Sequence, residues 1–252
     1  MQKVLLAALP PAIDSSPERS SSEWRTAFVT AGIGTYDDWN KIRVSATHRQ
    51  VWIVAGEPSA NAFIEAHLDG IAATLAHICN GPVPLEISDR AIGVRACTDK
   101  LWAYRIPKLV VEKKAGDWSA HFKALLDPSL KSSIERKVER SIRRELDTWG
   151  RLPDALDNDA PFLVLSQPGR AMPIPAITSQ RSGHGKPVNV LTRLQPVFLS
   201  YWRLEGQIFV GPLASLGYGR IARNEAPELI DRATQKALLD IIPSQPASEA
   251  AL

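Results

Sequence analysis

Cysteine is nearly absent from this chain. Of 252 residues only Cys79 and Cys97 are cysteines, and no CxxC pair occurs. Two separate thiols and five scattered histidines give no zinc framework and no redox motif, so neither a metal site nor a cofactor is expected. Long apolar runs are missing too. No stretch reaches the roughly 18 residues of a membrane span. The run Val4–Leu9 is short for the apolar region of a signal peptide, and Pro10 and Pro11 cut it off. It reads as the first buried strand of a cytoplasmic protein with no membrane partner. The GxxxxGK[ST] phosphate loop is absent, as is a Rossmann glycine fingerprint in a βαβ unit, and no fixed-period repeat is visible. The net charge of +3 is too small to argue for a nucleic-acid partner by itself. The positions of the charges carry that argument instead.

What is present is a globular composition, 44% hydrophobic and 23% charged. The length suits one large domain or two small packed ones. Residues 2–9 read as a strand, 14–23 as a polar loop, and 24–40 as an ordered but irregular segment carrying Trp24, Phe28, Tyr36 and Trp39. After a short strand over Gln50–Ala55, a helix starts at Pro58 with Ser59 as its N-cap. Its buried face is Phe63, Ile64, Leu68, Ile71, Leu75 and Ile78, and Asn80-Gly81-Pro82 stops it. Residues 83–97 and 101–112 read as two strands. Strand, helix, strand, strand is the pattern of a ferredoxin-like half-domain. Residues 117–149 read as helix with Ser129 as cap, Phe162–Leu165 as strand, and 173–187 as a long loop holding RSGHGK. Residues 188–204 and 207–210 read as extended, and 227–242 as a closing helix.

Two segments carry chemistry. The first is Ser129–Trp149, SLKSSIERKVERSIRRELDTW. At about 100° per residue, Leu130, Ile134, Val138, Ile142 and Leu146 share one arc, joined by Trp149. Arg136, Lys137, Arg140, Arg143 and Arg144 gather opposite. Glu135 and Glu139 lie at the edge of the apolar arc, and Asp147 alone intrudes on the basic side. Such a face is often only a solvated surface with local ion pairs. Here acids are few, and five cations neutralise phosphates and release counterions, while guanidinium forks onto phosphate oxygens. The A-form major groove is deep and narrow, so the helix is expected on a stalk, entering near a hairpin loop or a distorted end.

The second segment is Leu204–Ala222, LEGQIFVGPLASLGYGRIA. Glycines on both sides of Tyr218 permit tight turns and close approach of a ligand, and exposed amides there form an anion nest. The plainer alternative is a turn with a glycine bulge. Tyr201, Trp202, Phe209 and Tyr218 are candidates for base stacking, with Phe209 favoured as core.

The order of strand, Gly211, short loop, Ser215-Leu216-Gly217-Tyr218-Gly219-Arg220 and strand resembles the glycine-rich loop of the repeat-associated RNA-binding superfamily of CRISPR systems. The basic helix resembles the helical finger of its type IV repeat-cleaving endoribonucleases. The resemblance implies an α+β fold of two ferredoxin-like, RNA-recognition-motif-like halves, 1–115 and 153–242. A basic helical finger is inserted over 116–152, and a disordered tail follows over 243–252. It further implies that the chain binds a CRISPR repeat RNA hairpin and keeps the mature guide RNA, beside other subunits of a ribonucleoprotein. Cleavage is then metal-independent. The ribose 2′-hydroxyl attacks its own phosphate, leaving a 2′,3′-cyclic phosphate and a 5′-hydroxyl.

The RNA-binding candidates are Arg136, Lys137, Arg140, Arg143, Arg144, Gly217, Tyr218, Gly219 and Arg220. His48 is the acid–base candidate, because an imidazole titrates near neutrality. Arg25, Arg43 and Arg223 are the candidates for steadying charge. A guanidinium stays protonated and makes a poor base, so an arginine site works by positioning and electrostatics, and slowly. Two other functions compete. One is a non-catalytic backbone subunit that holds the guide RNA handle, and the other is a nucleic-acid binder outside CRISPR systems.

Overall fold

In a computed structural model of the chain, the described residues are 1–10, 21–47, 49–97, 100–113, 118–123, 126–148, 152–156, 160–177, 187–214, 217–225 and 230–241. The first unit runs β1 (Gln2–Ala8), α1 (Ser21–Thr30), α2 (Tyr36–Asn40), β2 (Ile42–Thr47), β3 (Gln50–Ala55), α3 (Pro58–Ala66), α4 (Leu68–Ile78) and β4 (Leu85–Arg90). Its sheet is antiparallel with order β2-β3-β1-β4, the ferredoxin-like arrangement. Side chains alternate across it. Leu5, Ala7, Ile42, Val44, Val51, Ile53 and Ala55 pack under the helices against Trp24, Phe28, Trp39, Ile64, Ile71 and Leu75. Val4 and Val54 emerge on the opposite face, where they pack with Phe209 of the second half.

Residues 24–40 are helical, not irregular. Gly32 and Gly34, both at positive φ, break the segment into two helices. Thr35 and Asp38 close a capping box at the second. The helix expected from Pro58 is two helices, parted at His67, and Glu57 rather than Ser59 is the residue before its first turn.

The second unit contains β5 (Gly93–Ala96), β6 (Trp102–Arg105), β7 (Lys108–Glu112), α5 (Pro128–Thr148), β8 (Val164–Gln167), β9 (Arg170–Ile177), β10 (Pro187–Leu194), β11 (Val197–Ser200), β12 (Trp202–Glu205), β13 (Ala222–Glu225) and α6 (Arg232–Leu239). Its main sheet has the order β13-β6-β11-β8. Taken in chain order with α5, this repeats the strand arrangement of the first unit. The expected class, α+β with two ferredoxin-like halves, is what the chain shows. Ile134, Val138, Ile142 and Leu146 of α5 pack on Tyr104, Leu165 and Phe198. Leu238 of α6 covers the reverse face at Ala103, Val164, Val197 and Leu199.

Several boundaries differ from the expectation, each for a local reason. The strand over 101–112 is interrupted at Ile106-Pro107, where proline removes a ladder donor. The strand over 83–97 splits because β4 pairs with β1 and β5 turns to pair with β12. The long loop expected over 173–187 is in part a hairpin, β9 with β10. Pro173 and Pro175 are tolerated there because β9 is an edge strand. The RSGHGK segment, residues 181–186, and the tail 243–252 lie outside the described residues. The amides of Ser129 and Leu130 donate to Asp127 Oδ1 at 2.9 and 3.0 Å, so Asp127 caps α5. No helix among the described residues is long and apolar enough to cross a membrane.

Candidate RNA interface

The glycine-rich loop is where the halves meet. Gly217 has φ +79°, and a Cβ there would lie 1.6 Å from the Val44 carbonyl oxygen of β2. Gly219 has φ +73°, and a Cβ there would lie 1.8 Å from the Val210 carbonyl oxygen. The close approach expected for a ligand is made on the Cα side of both glycines by the protein's own backbone. Only glycine fits, both by conformation and by space. Tyr218 is half-buried against Val110, Val190 and Leu213. Gln2 and Gln207 tie the seam reciprocally. Gln2 Nε2 donates to the Gln207 carbonyl at 2.9 Å, and the Gln207 amide donates to Gln2 Oε1 at 2.9 Å.

Arg220 follows the turn. Its guanidinium lies 4.4 Å from the Trp52 ring centre, and no ion pair reaches it among the described residues. Burial pulls its pKa down from the usual guanidinium range to about 10. Between this loop and the first unit is a small cleft of about 60 Å³, lined by Ser21, Ser45, Thr47, Lys108 and the stretch Gly217–Arg220.

The charges of α5 separate by direction. Glu139 is buried and accepts the amides of Phe162 and Leu163, each at 2.8 Å. Glu135 accepts the amide of Leu165 at 2.7 Å. Desolvation raises the pKa of both carboxyls, partly offset by those bonds. Glu145 is buried and forms an ion pair with Arg43 of β2, across the seam. With three acids turned inward, the outer face keeps its cations. Arg136, Arg140 and Arg144 are exposed, and none is ion-paired among the described residues; Arg136 bonds only the Ser132 carbonyl of its own helix, at 3.4 Å. Spaced four residues apart, they form a ridge about 12 Å long.

The other two candidates on this helix are engaged. Lys137 Nζ lies 2.8 Å from Glu112 Oε1. Arg143 donates to the Ala160 carbonyl at 2.6 Å and sits 5.1 Å from the Phe162 ring centre. The helix is packed into the second core and does not stand on a stalk. It does reach the glycine-rich loop, because Gly211 N donates to Ser141 Oγ at 3.1 Å.

The catalytic candidates are dispersed. Arg25 is 1% exposed and donates to the Ile42 carbonyl at 2.5 Å, so it fastens α1 to β2. Burial, and the nearby Arg43 charge, lower its pKa to about 10. Arg43 is held by Glu145 and lies 5.7 Å from the Phe209 ring centre. It shares a face of β2 with Ser45 of the cleft. Arg223, on β13, is exposed, donates to the Leu204 carbonyl at 2.6 Å and lies 5.2 Å from the Trp102 ring centre; it lines a cavity with Arg220 but not the cleft. His48 lies outside the described residues. Sequence reasoning missed Lys108 and Glu145. Glu145 had a signal in its place on the apolar edge of α5, where a carboxylate needs a buried partner.

Two ferredoxin-like units joined through a glycine-rich loop, with a cationic helix beside the seam, define a repeat-associated RNA-binding protein of CRISPR systems. The family described as "Type IV CRISPR-associated endonuclease Csf5" matches residues 32–226. The chain belongs to that family. Among solved structures, one titled "Csf5, CRISPR-Cas type IV Cas6 crRNA endonuclease" aligns at a TM-score of 0.65 and 15% identity, covering 88% of this chain and 99% of that one. A crystal structure of Cas6b aligns at 0.53 and 12% identity, covering 88% and 99%. At these identities the likeness speaks to the fold. No curated protein matches the sequence.

Proposed function

We propose that this chain is an endoribonuclease that matures CRISPR RNA without a metal ion. It grips a repeat hairpin, cuts it by 2′-hydroxyl attack, and stays on the product. The observation that carries this reading is the inward commitment of Glu135, Glu139 and Glu145, which leaves exposed Asp147 as the one acid of α5 on the side of the Arg136–Arg140–Arg144 ridge. An exposed ridge of that length spans several phosphates. The α5 ridge takes the hairpin, and the small cleft under the glycine-rich loop takes the scissile phosphate. There the 2′-hydroxyl gives its proton to a base and its oxygen bonds to phosphorus as the bond to the 5′-oxygen breaks, and the 5′-oxygen takes a proton from an acid. Arg220 and Lys108, which line the cleft, steady the developing charge on the phosphoryl oxygens. Arg43 supports them from the same face of β2, and Arg25 acts by holding α1 in place. His48, next after Thr47, is proposed as the acid or base. Lys137, ion-paired with Glu112, and Arg143, bonded to the Ala160 carbonyl, flank the ridge as secondary contacts. Further subunits of a ribonucleoprotein are proposed as partners.

Pure protein incubated with its cognate repeat RNA in excess EDTA tests this. Cleavage at one position, with a 2′,3′-cyclic phosphate and a 5′-hydroxyl, is expected. Tight binding with no cleavage would assign the chain to the non-catalytic role instead. Single turnover with slow product release is the expected kinetic signature.

A further inference from the structure

A groove that shares no residue with the α5 ridge or the cleft opens at the edge strand β9. It holds about 620 Å³ and is lined by Phe122, Lys123 and the stretch Gly169–Pro173. Phe122 ends a 3-10 turn, Ser119–Phe122, that packs on β9. Five large hydrophobic side chains are exposed among the described residues, and two of them line this one groove: Phe122 at 51% and Met172 at 37%. Pro173 beside them is exposed as well. Exposed apolar residues scattered singly need no explanation, whereas several gathered on one concave surface mark an interaction site.

The groove is also positive, at its lining and behind it. Arg170 is exposed and has no ion-pair partner among the described residues. Lys123, the other cation of the lining, feels Asp127, whose Oδ1 already accepts the amides of Ser129 and Leu130. Behind the wall lies Arg193, 1% exposed. It donates to the carbonyl of Gly169 at 3.0 Å and to that of His121, the residue before Phe122. Its Nε has no hydrogen-bond partner, and no carboxylate pairs with it among the described residues. The Nδ1 of buried His121 is without a partner too. A buried guanidinium with no counter-charge is costly, and its field is weakly screened by the protein between it and the groove.

The geometry points to this groove as the docking site of a second protein, which seats an apolar side chain against Phe122 and Met172 and places carboxylates on Arg170 and Lys123. The charge pattern selects an acidic partner. RNA fits less well, because the walls at Ala171, Met172 and Pro173 are aliphatic and no side-chain hydroxyl or amide is among the lining to position a phosphate or sugar. Strand addition is disfavoured as well. Pro173 and Pro175 deprive the β9 edge of donors, so the partner presents side chains from a helix or a turn. The inference rests on the ribonucleoprotein reading above and gives it a surface: the partner is a protein subunit of the same particle.

The test uses the full chain and a particle of the protein subunits encoded beside it, assembled on guide RNA that lacks the repeat hairpin, so that only protein contacts recruit the chain. Phe122→Ser and Arg170→Glu are each expected to weaken binding to that particle by about tenfold, the scale of one interface anchor. Unchanged urea midpoints and unchanged stem-loop RNA binding show that both variants are folded. A photo-reactive p-benzoylphenylalanine introduced at Phe122 is expected to crosslink to a subunit peptide that carries Asp or Glu beside an apolar residue, read by mass spectrometry. The proposal is overturned if the unaltered chain does not bind the hairpin-free particle, if both variants bind it as well as the unaltered chain does, if either variant weakens stem-loop binding as much, or if the crosslink goes to RNA. Failure of the unaltered chain to cleave repeat RNA, with these protein contacts intact, would instead sink the nuclease reading and leave the docking site standing.

Discussion

Replacing Arg136, Arg140 and Arg144 together by glutamine tests the central claim most directly. The side chains point to solvent and contact no carboxylate among the described residues, and glutamine is nearly as good a helix former as arginine. Folding stability should therefore move by no more than about 0.5 kcal/mol. RNA affinity should not be spared. If each guanidinium neutralises one duplex phosphate, the slope of log affinity against log salt falls by about 2.7. Between roughly 50 and 200 mM salt the unaltered protein should lose about fortyfold more affinity than the triple variant. Fluorescence anisotropy with a stem-loop RNA at four salt concentrations measures this, alongside urea denaturation of both proteins. An unchanged slope would refute the ridge, however the absolute affinity moved. The pair Lys137→Gln and Arg143→Gln serves as contrast. Both side chains hold internal partners, so a smaller slope change and a larger loss of stability are expected.

Three further outcomes follow from the packing. Gly217→Ala places a Cβ 1.6 Å from a backbone oxygen at φ +79°, and should cost about 4 kcal/mol or more in urea denaturation; a cost under about 1 kcal/mol would remove the loop as the seam between halves. Glu139 has a folded pKa raised by burial, so its contribution is fully present below the unfolded pKa and is lost as pH rises through the folded one. Glu139→Gln keeps an acceptor without the charge and should gain relative stability from pH 4 to pH 7, whereas Glu139→Ala strands two amides and should cost about 2–3 kcal/mol; a Gln variant that loses ground with rising pH contradicts the burial argument. For half-buried Arg43 and buried Glu145, a double-mutant cycle to alanine should return a coupling of about 1–2 kcal/mol, and additivity would show that the pair does not join the halves.

The parts that were legible in the sequence share one property: they are local. The 3.6-residue period of Ile134, Val138, Ile142 and Leu146 fixes the buried face of α5 without knowledge of what covers it. The glycines around Tyr218 mark a turn needing positive φ. The capping box at Thr35 and Asp38 is equally local, but the aromatic residues among glycines obscure it, so residues 24–40 read as irregular in the sequence. Where local signals compete, pairing decides. Pro173 and Pro175 argue for a loop in isolation, yet the edge position of β9 leaves their missing donors harmless.

The basic character of one helix face, the glycine turn and the ferredoxin-like order of the first elements were set by the chain alone, because each depends on residues within one or two turns or strands of one another. Which arginines remain available was decided only by tertiary structure. Charges on one helix are sorted by partners on other elements, from the Ala160 carbonyl that takes Arg143 to Arg43 across the seam, which takes Glu145. The carbonyl that demands glycine at 217 belongs to residue 44, and the cavity lined by Arg90, Arg220 and Arg223 draws on strands far apart in the sequence.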